Sequence, residues 1–138
     1  MNKRMSLVVF SGTADKLTAV ATLATGAAAM GMDVELFLTF WGLEAFRKGA
    51  KTQPPRIAAE FADYGPVMME LMQAKQVPHW LDTLRDACEI GNVKVYACSA
   101  TMELFGMRQE DLEDVVDEVT GVATFIDRAK DADISMFI

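Results

Sequence analysis

Val93-Lys94-Val95-Tyr96-Ala97-Cys98 is a β-branched, apolar run, and Ser99-Ala100-Thr101-Met102-Glu103-Leu104-Phe105-Gly106 follows it as a helix-forming segment closed by glycine. Together they read as a buried strand that turns directly into a helix, the unit from which open α/β sheets are built. Cys98 falls at the junction. In the first turn of that helix its sulfur would face unpaired backbone N–H groups and the positive end of the helix dipole, both of which favour thiolate over thiol. A contribution of about 0.3 to 2 kcal/mol is enough to leave the thiol partly ionised at neutral pH. That suits a sulfur that both accepts and releases a group. Spacing alone leaves a second reading level with it: free cysteines are among the most buried residues, and Cys98 would then be a small apolar side chain at a strand end.

The pattern extends in both directions. Ser6 to Phe10 reads as a buried strand, ending in the tight loop Ser11-Gly12-Thr13. The Ala-rich segment Leu17 to Met30, with Asp15 placed to cap it, reads as a helix stopped by Gly31. Val34 to Leu38 is a second strand, Thr39-Phe40-Trp41-Gly42 its terminal loop, and Leu43 to Lys48 a short helix. This βαβ unit makes the first two strands parallel neighbours. Gln53-Pro54-Pro55 rules out a continuous helix between Gly49 and Gly65. Pro66 then opens a Met-rich helix, and Pro78 another that runs through Ile90, with Leu81, Leu84 and Cys88 on one face. Cys88 is accordingly expected in the core. Beyond the Cys98 unit lie a short amphipathic stretch from Leu112 to Val116, a fourth strand over Asp117 to Thr120, a helix over Val122 to Lys130 and a final strand over Ile134 to Ile138. On that last helix Val122, Phe125, Ile126 and Ala129 share a face. The expected architecture is a three-layer α/β/α fold with a mostly parallel, five-stranded open sheet, occupying residues 1–138 as one domain.

Composition narrows the function. With 51% hydrophobic and 24% charged residues the chain is globular, and a net charge of -7 excludes a nucleic-acid surface built on clustered Lys and Arg. The apolar run Leu7 to Phe10 is too short for a signal-peptide core, and no stretch approaches the ~20 apolar residues of a membrane span. A cytoplasmic location without a membrane span is expected, and with it no structural disulfide between the two cysteines. One histidine and two dispersed cysteines offer no metal site of normal ligand count. No cofactor is expected either.

Several short motifs, in order, resemble the DsrE/DsrF-like family of small sulfur-transfer proteins, in particular its branch labelled peroxiredoxin-like. They are Phe10-Ser11-Gly12 with Asp15-Lys16, Phe40-Trp41-Gly42-Leu43, Ala97-Cys98-Ser99 with Met102-Glu103 and Gly106, Gly121-Val122-Ala123-Thr124, and Ala132-Asp133-Ile134. Between Gly49 and Asn92 the chain departs from that pattern. The resemblance implies a five-stranded α/β/α domain that assembles into homo-oligomers, with Cys98 carrying sulfur as a persulfide. Its partners would be sulfur donor and acceptor proteins or small sulfane-sulfur compounds.

Strand-end loops are expected to gather around Cys98. Ser11, Gly12 and Thr13, then Phe40, Trp41 and Gly42, then Ser99, Gly121 and Val122, form the candidate pocket. Backbone N–H groups near Gly12 and Gly121 are placed to hold an anionic sulfur, and Phe40 and Trp41 to limit water, although core packing explains Trp41 as well. His79 reads as a surface or capping residue unless the fold joins it to Cys98. The stripe Met68, Met69, Met72 reads as core or subunit interface. Two rival functions remain open: a small-molecule or nucleotide-binding flavodoxin-like module, disfavoured by the lack of a G-x-G-x-x-G motif or Walker lysine, and a noncatalytic subunit of a larger assembly.

Overall fold

A computed structural model describes residues 2–138. Its centre is a five-stranded sheet of β1 (Arg4–Val9), β2 (Asp33–Leu38), β3 (Val93–Cys98), β4 (Glu118–Thr120) and β5 (Ile134–Phe137), in the order β4-β3-β2-β1-β5. All four strand pairs are parallel. The six helices are α1 (Ala14–Ala29), α2 (Phe40–Glu44), α3 (Gly65–Ala74), α4 (Trp80–Ile90), α5 (Ser99–Leu104) and α6 (Val122–Ala129).

Strand parity divides the sheet into two faces. Leu7, Val9, Leu36, Leu38 and Val95 point to one side and are completely buried against α1 and α4. Phe37, Tyr96 and Cys98 point to the other, where Phe125 of α6 covers them and stacks on Phe37 at 4.6 Å. The result is the expected three-layer α/β/α arrangement. Small side chains let α1 approach α4 closely: a Cβ at Gly91, just after α4, would lie 2.7 Å from Ala28. Leu81 and Leu84 are buried on α4 and Cys88 is half-buried beside them. Each fully buried leucine contributes about 1.5–3 kcal/mol.

Several details depart from the sequence expectation. Thr13 rather than Asp15 occupies the cap position of α1, and α2 starts at Phe40, so Phe40-Trp41-Gly42 forms a helical turn instead of a loop. Gly42 permits this because a Cβ there would sit 2.1 Å from the Val9 carbonyl oxygen, while its N–H donates to the Phe10 carbonyl at 2.8 Å. The amphipathic stretch from Leu112 to Val116 is irregular, with Leu112 and Val116 buried. A short 3-10 turn at Gln109–Asp111 precedes it, and Leu112 bridges to Arg47 in antiparallel fashion. Helix α3 has no buried residue; Met68 and Met72 are half-buried and Met69 is exposed, so the methionine stripe is not core. On α6, Val122 and Ile126 are likewise exposed, leaving Phe125 as its buried anchor.

Candidate functional site

The parallel register carries Leu38 of β2 beside Ala97 of β3, so the next residues, Thr39 and Cys98, leave the sheet side by side. On its other flank Cys98 pairs with Thr120. Cys98 occupies the cap position of α5 with extended backbone, at the helix end where first-turn N–H groups lack intrahelical acceptors. Cys98 is buried, with 6% of the residue exposed.

Its environment combines opposing effects. Burial pushes the Cys98 thiol up, but hydrogen bonds from the Thr101 N–H, the Thr101 hydroxyl, the Thr39 hydroxyl and the Ala100 N–H together outweigh it and hold the pKa below its ordinary value. No cation takes part in this shift. The two hydroxyls lie 3.1 Å apart, and the Phe40 N–H donates to Thr101 Oγ1 at 3.2 Å. One hydroxyl donates to the other, and the Phe40 N–H fills an acceptor position on Thr101. Phe40 itself has a φ of 48°, a left-handed conformation that a bulky residue adopts at a cost on the order of 1–3 kcal/mol. Its bond to Thr101 helps hold it there.

Cys88 is the opposite case. Burial pushes its thiol up to about 11, with the Asp117 carboxylate acting in the same direction, so it stays a protonated packing residue at neutral pH. His79 caps α4, its Nδ1 accepting from the Leu81 N–H at 3.1 Å. Burial lowers its pKa, and it does not contribute to the Cys98 environment.

The expected pocket residues are distributed over two places. Phe40 stands next to Cys98 through its bond to Thr101, and Gly121, the cap of α6, lies across from Ser99, whose Oγ would be 3.9 Å from a Cβ at Gly121. Val122 follows Gly121 and is exposed. Ser11, Gly12, Thr13 and Trp41 instead line a separate cleft of about 1150 Å³ whose walls do not include Cys98. Gly12 and Trp41 touch through backbone, since a Cβ at Gly12 would meet the Trp41 carbonyl oxygen at 2.3 Å. Gly42 is buried beneath them. An aromatic group joins the two regions: Phe40 packs on Phe10 at 5.5 Å and on Phe105 at 5.9 Å, and Trp41 stacks on Phe105 at 5.9 Å.

Thr39 and Thr101 were absent from the sequence-based site. The signal for Thr101 was a hydroxyl three residues after the cysteine, where a helix start aims its side chain back at the cap. Thr39 was findable only by aligning the ends of β2 and β3. Among the described residues no cluster of His, Cys, Asp and Glu is arranged to hold a metal ion.

A parallel sheet flanked by helices, with a buried free cysteine at the carboxyl end of a central strand, defines a class of small α/β proteins with a thiol at the end of a strand. The chain belongs to the DsrE/DsrF/DrsH-like family, whose model matches residues 1–61 and 56–137. Those two runs meet inside the Gly49 to Asn92 stretch where the chain was expected to depart from the family pattern. Among curated proteins it is 33% identical to the uncharacterized protein YrkE of Bacillus subtilis, covering 99% of this chain and 97% of that one. It is 28% identical to the sulfur carrier protein DsrE2 of Allochromatium vinosum, covering 99% and 98%. Of solved structures, ychN from E. coli superposes with a TM-score of 0.61 at 18% identity, covering 100% of both chains. MTH1491 from Methanobacterium thermoautotrophicum, a protein of unknown function, does so with 0.59 at 16%, covering 98% of this chain and 97% of its own. These two share the fold. No helix among the described residues is long and apolar enough to cross a membrane.

Proposed function

We propose that this chain carries sulfane sulfur as a persulfide on Cys98, between a donor and an acceptor thiol. The observation that carries the reading is the place of Cys98 at the end of β3, capping α5 beside Thr39 and Thr101, where its pKa is held below the ordinary value without a neighbouring cation. Modest stabilisation suits exchange, because a strongly acidified thiol is a weak nucleophile. In the loading step the Cys98 thiolate attacks the terminal sulfur of a donor persulfide. A new S–S bond forms to Cys98, the donor S–S bond breaks, and the donor leaves as thiolate. An acceptor thiolate then attacks the same terminal sulfur and releases Cys98 as thiolate, so the cycle is redox-neutral. Burial of Cys98 requires the donor to present its sulfur on a slender or protruding group. The relative DsrE2 of Allochromatium vinosum is a sulfur carrier protein, in keeping with this chemistry. The chain works in the cytoplasm as a homo-oligomer, with exposed apolar side chains such as Val67, Met69 and Leu71 of α3 supplying contacts through a helix rather than a strand edge.

The test is loading with glutathione persulfide followed by cyanolysis. Wild type and Cys88→Ser are expected to release equal thiocyanate and Cys98→Ser none; equal release from Cys98→Ser would reject the assignment.

A further inference from the structure

We infer that the cleft beside α1 is a second site, one that binds a small molecule bearing two or more anionic groups, phosphate or carboxylate, alongside a planar or apolar portion. Cys98 does not line the cleft, so this binding is separate from persulfide chemistry, and the two proposals stand or fall independently.

Charge is the first argument. The chain carries a net charge of -7, yet the cleft is lined by Lys16, Arg47 and Arg56 against a single carboxylate, Glu44. Glu44 is paired with Arg47 at 2.8 Å. Among the described residues neither Lys16 nor Arg56 has a carboxylate within 4.0 Å. Two uncompensated cations facing one cavity of an acidic protein create a local field that selects anions.

Donor geometry is the second. The cleft receives the start of α1, a 16-residue helix, through Thr13, Ala14 and Lys16. The Ala14 N–H donates to the Arg56 carbonyl at 2.6 Å, which ties the cationic segment to the helix start. The remaining first-turn N–H groups lack intrahelical acceptors and add positive potential. Thr13 makes no capping bond, and its buried Oγ1 has no partner. Asp15, the acidic residue of that turn, is not part of the cleft wall. His79 spends Nδ1 on its own helix cap, which leaves Nε2 as the ring's available donor at the cleft.

Shape is the third. About 1150 Å³ accommodates a cofactor-sized molecule rather than a lone ion. Trp41 and Trp80 line the walls, and Trp41 is 53% exposed, so a planar group has a stacking surface. Pro54 and Pro55 stiffen the rim, and the Lys51–Asp82 ion pair at 2.7 Å fastens it to α4.

The only two tryptophans of the chain both face this cleft, so intrinsic fluorescence reads its occupancy directly. Tripolyphosphate and citrate are titrated in parallel at constant ionic strength; the tighter of the two assigns the ligand's charged groups as phosphate or carboxylate. A saturable change is expected with at least one of them. The double variant Lys16→Gln/Arg56→Gln, altered at two exposed positions, is expected to weaken it at least ten-fold. Arg108→Gln, whose side chain pairs with Glu110 outside the cleft, should bind as wild type does. Cys98→Ser should also bind normally, which separates this site from the sulfur carrier reading. Absence of saturation with both anions, or undiminished affinity in the folded double variant, would overturn the inference.

Discussion

Replacing Thr101 with valine removes one hydroxyl and almost no volume, and with it this side chain's part in holding the Cys98 pKa down. A hydrogen bond to a charged group is worth about 1.5–3 kcal/mol, which corresponds to a roughly 10- to 150-fold smaller thiolate fraction below the midpoint of titration. The remaining thiolate is more nucleophilic, because reactivity rises with basicity with a Brønsted coefficient of about 0.4–0.5. The two effects oppose each other and the first is larger. Alkylation of Cys98 by iodoacetamide at a pH well below the wild-type midpoint should therefore slow by about 4- to 16-fold, and the midpoint should move upward. Cys88 does not interfere, since burial pushes its own thiol up to about 11. Thr101→Ser restores the hydroxyl and should recover most of the rate. Thr101→Val also strips the Phe40 N–H of its acceptor, so a stability loss of about 1–3 kcal/mol is expected in denaturant titration. An unchanged alkylation profile in Thr101→Val would refute the claim that side-chain hydrogen bonding sets the state of this thiol.

Other consequences can be checked with the same protein. The Cys88 thiol is raised in the folded chain, so the stability gained by burying it neutral is complete below its unfolded pKa and lost as pH climbs toward about 11; Cys88→Ala should flatten that alkaline decline in a pH series of thermal melts. Gly26 lies within α1 with open space around its Cβ position, so Gly26→Ala should stabilise by about 0.5–1 kcal/mol. Gly42→Ala, forced against the Val9 carbonyl, should destabilise by about 1–3 kcal/mol; equal midpoints for these two variants in urea would contradict the packing described. Sedimentation at low micromolar concentration should show a species larger than the monomer, and a strictly monomeric boundary would remove α3 as an assembly surface.

Legibility in the sequence followed the range of the interaction. The β3 strand was readable to the residue, Val93 to Cys98, because an apolar β-branched run and an adjoining helix former are both local signals. The parallel pairing of β1 and β2 followed from the helix between them. Boundaries failed where a tertiary contact decides them. Phe40-Trp41-Gly42 reads as a loop by composition, yet the contact of Gly42 with the Val9 carbonyl draws it into α2. The methionine stripe of α3 has helical periodicity, but nothing in the sequence says whether a helix reaches the core, and this one does not. Within the site, Cys98 was visible from its place at a strand end. Thr39 was not, because its partnership with Thr101 joins residues 62 positions apart. The expectation of a single pocket missed that Ser11, Gly12, Thr13 and Trp41 line a cleft apart from Cys98, a separation made only in three dimensions.

The central claim concerns where a transferred sulfur resides. Mass spectrometry of peptides from wild-type protein treated with glutathione persulfide and then trapped by alkylation locates it without any substitution. The account predicts one added sulfur atom on the peptide containing Cys98 and none on the peptide containing Cys88, with the label discharged when an acceptor thiol is supplied. Added sulfur on Cys88, or an unmodified Cys98 under conditions where the thiol alkylates readily, would contradict it.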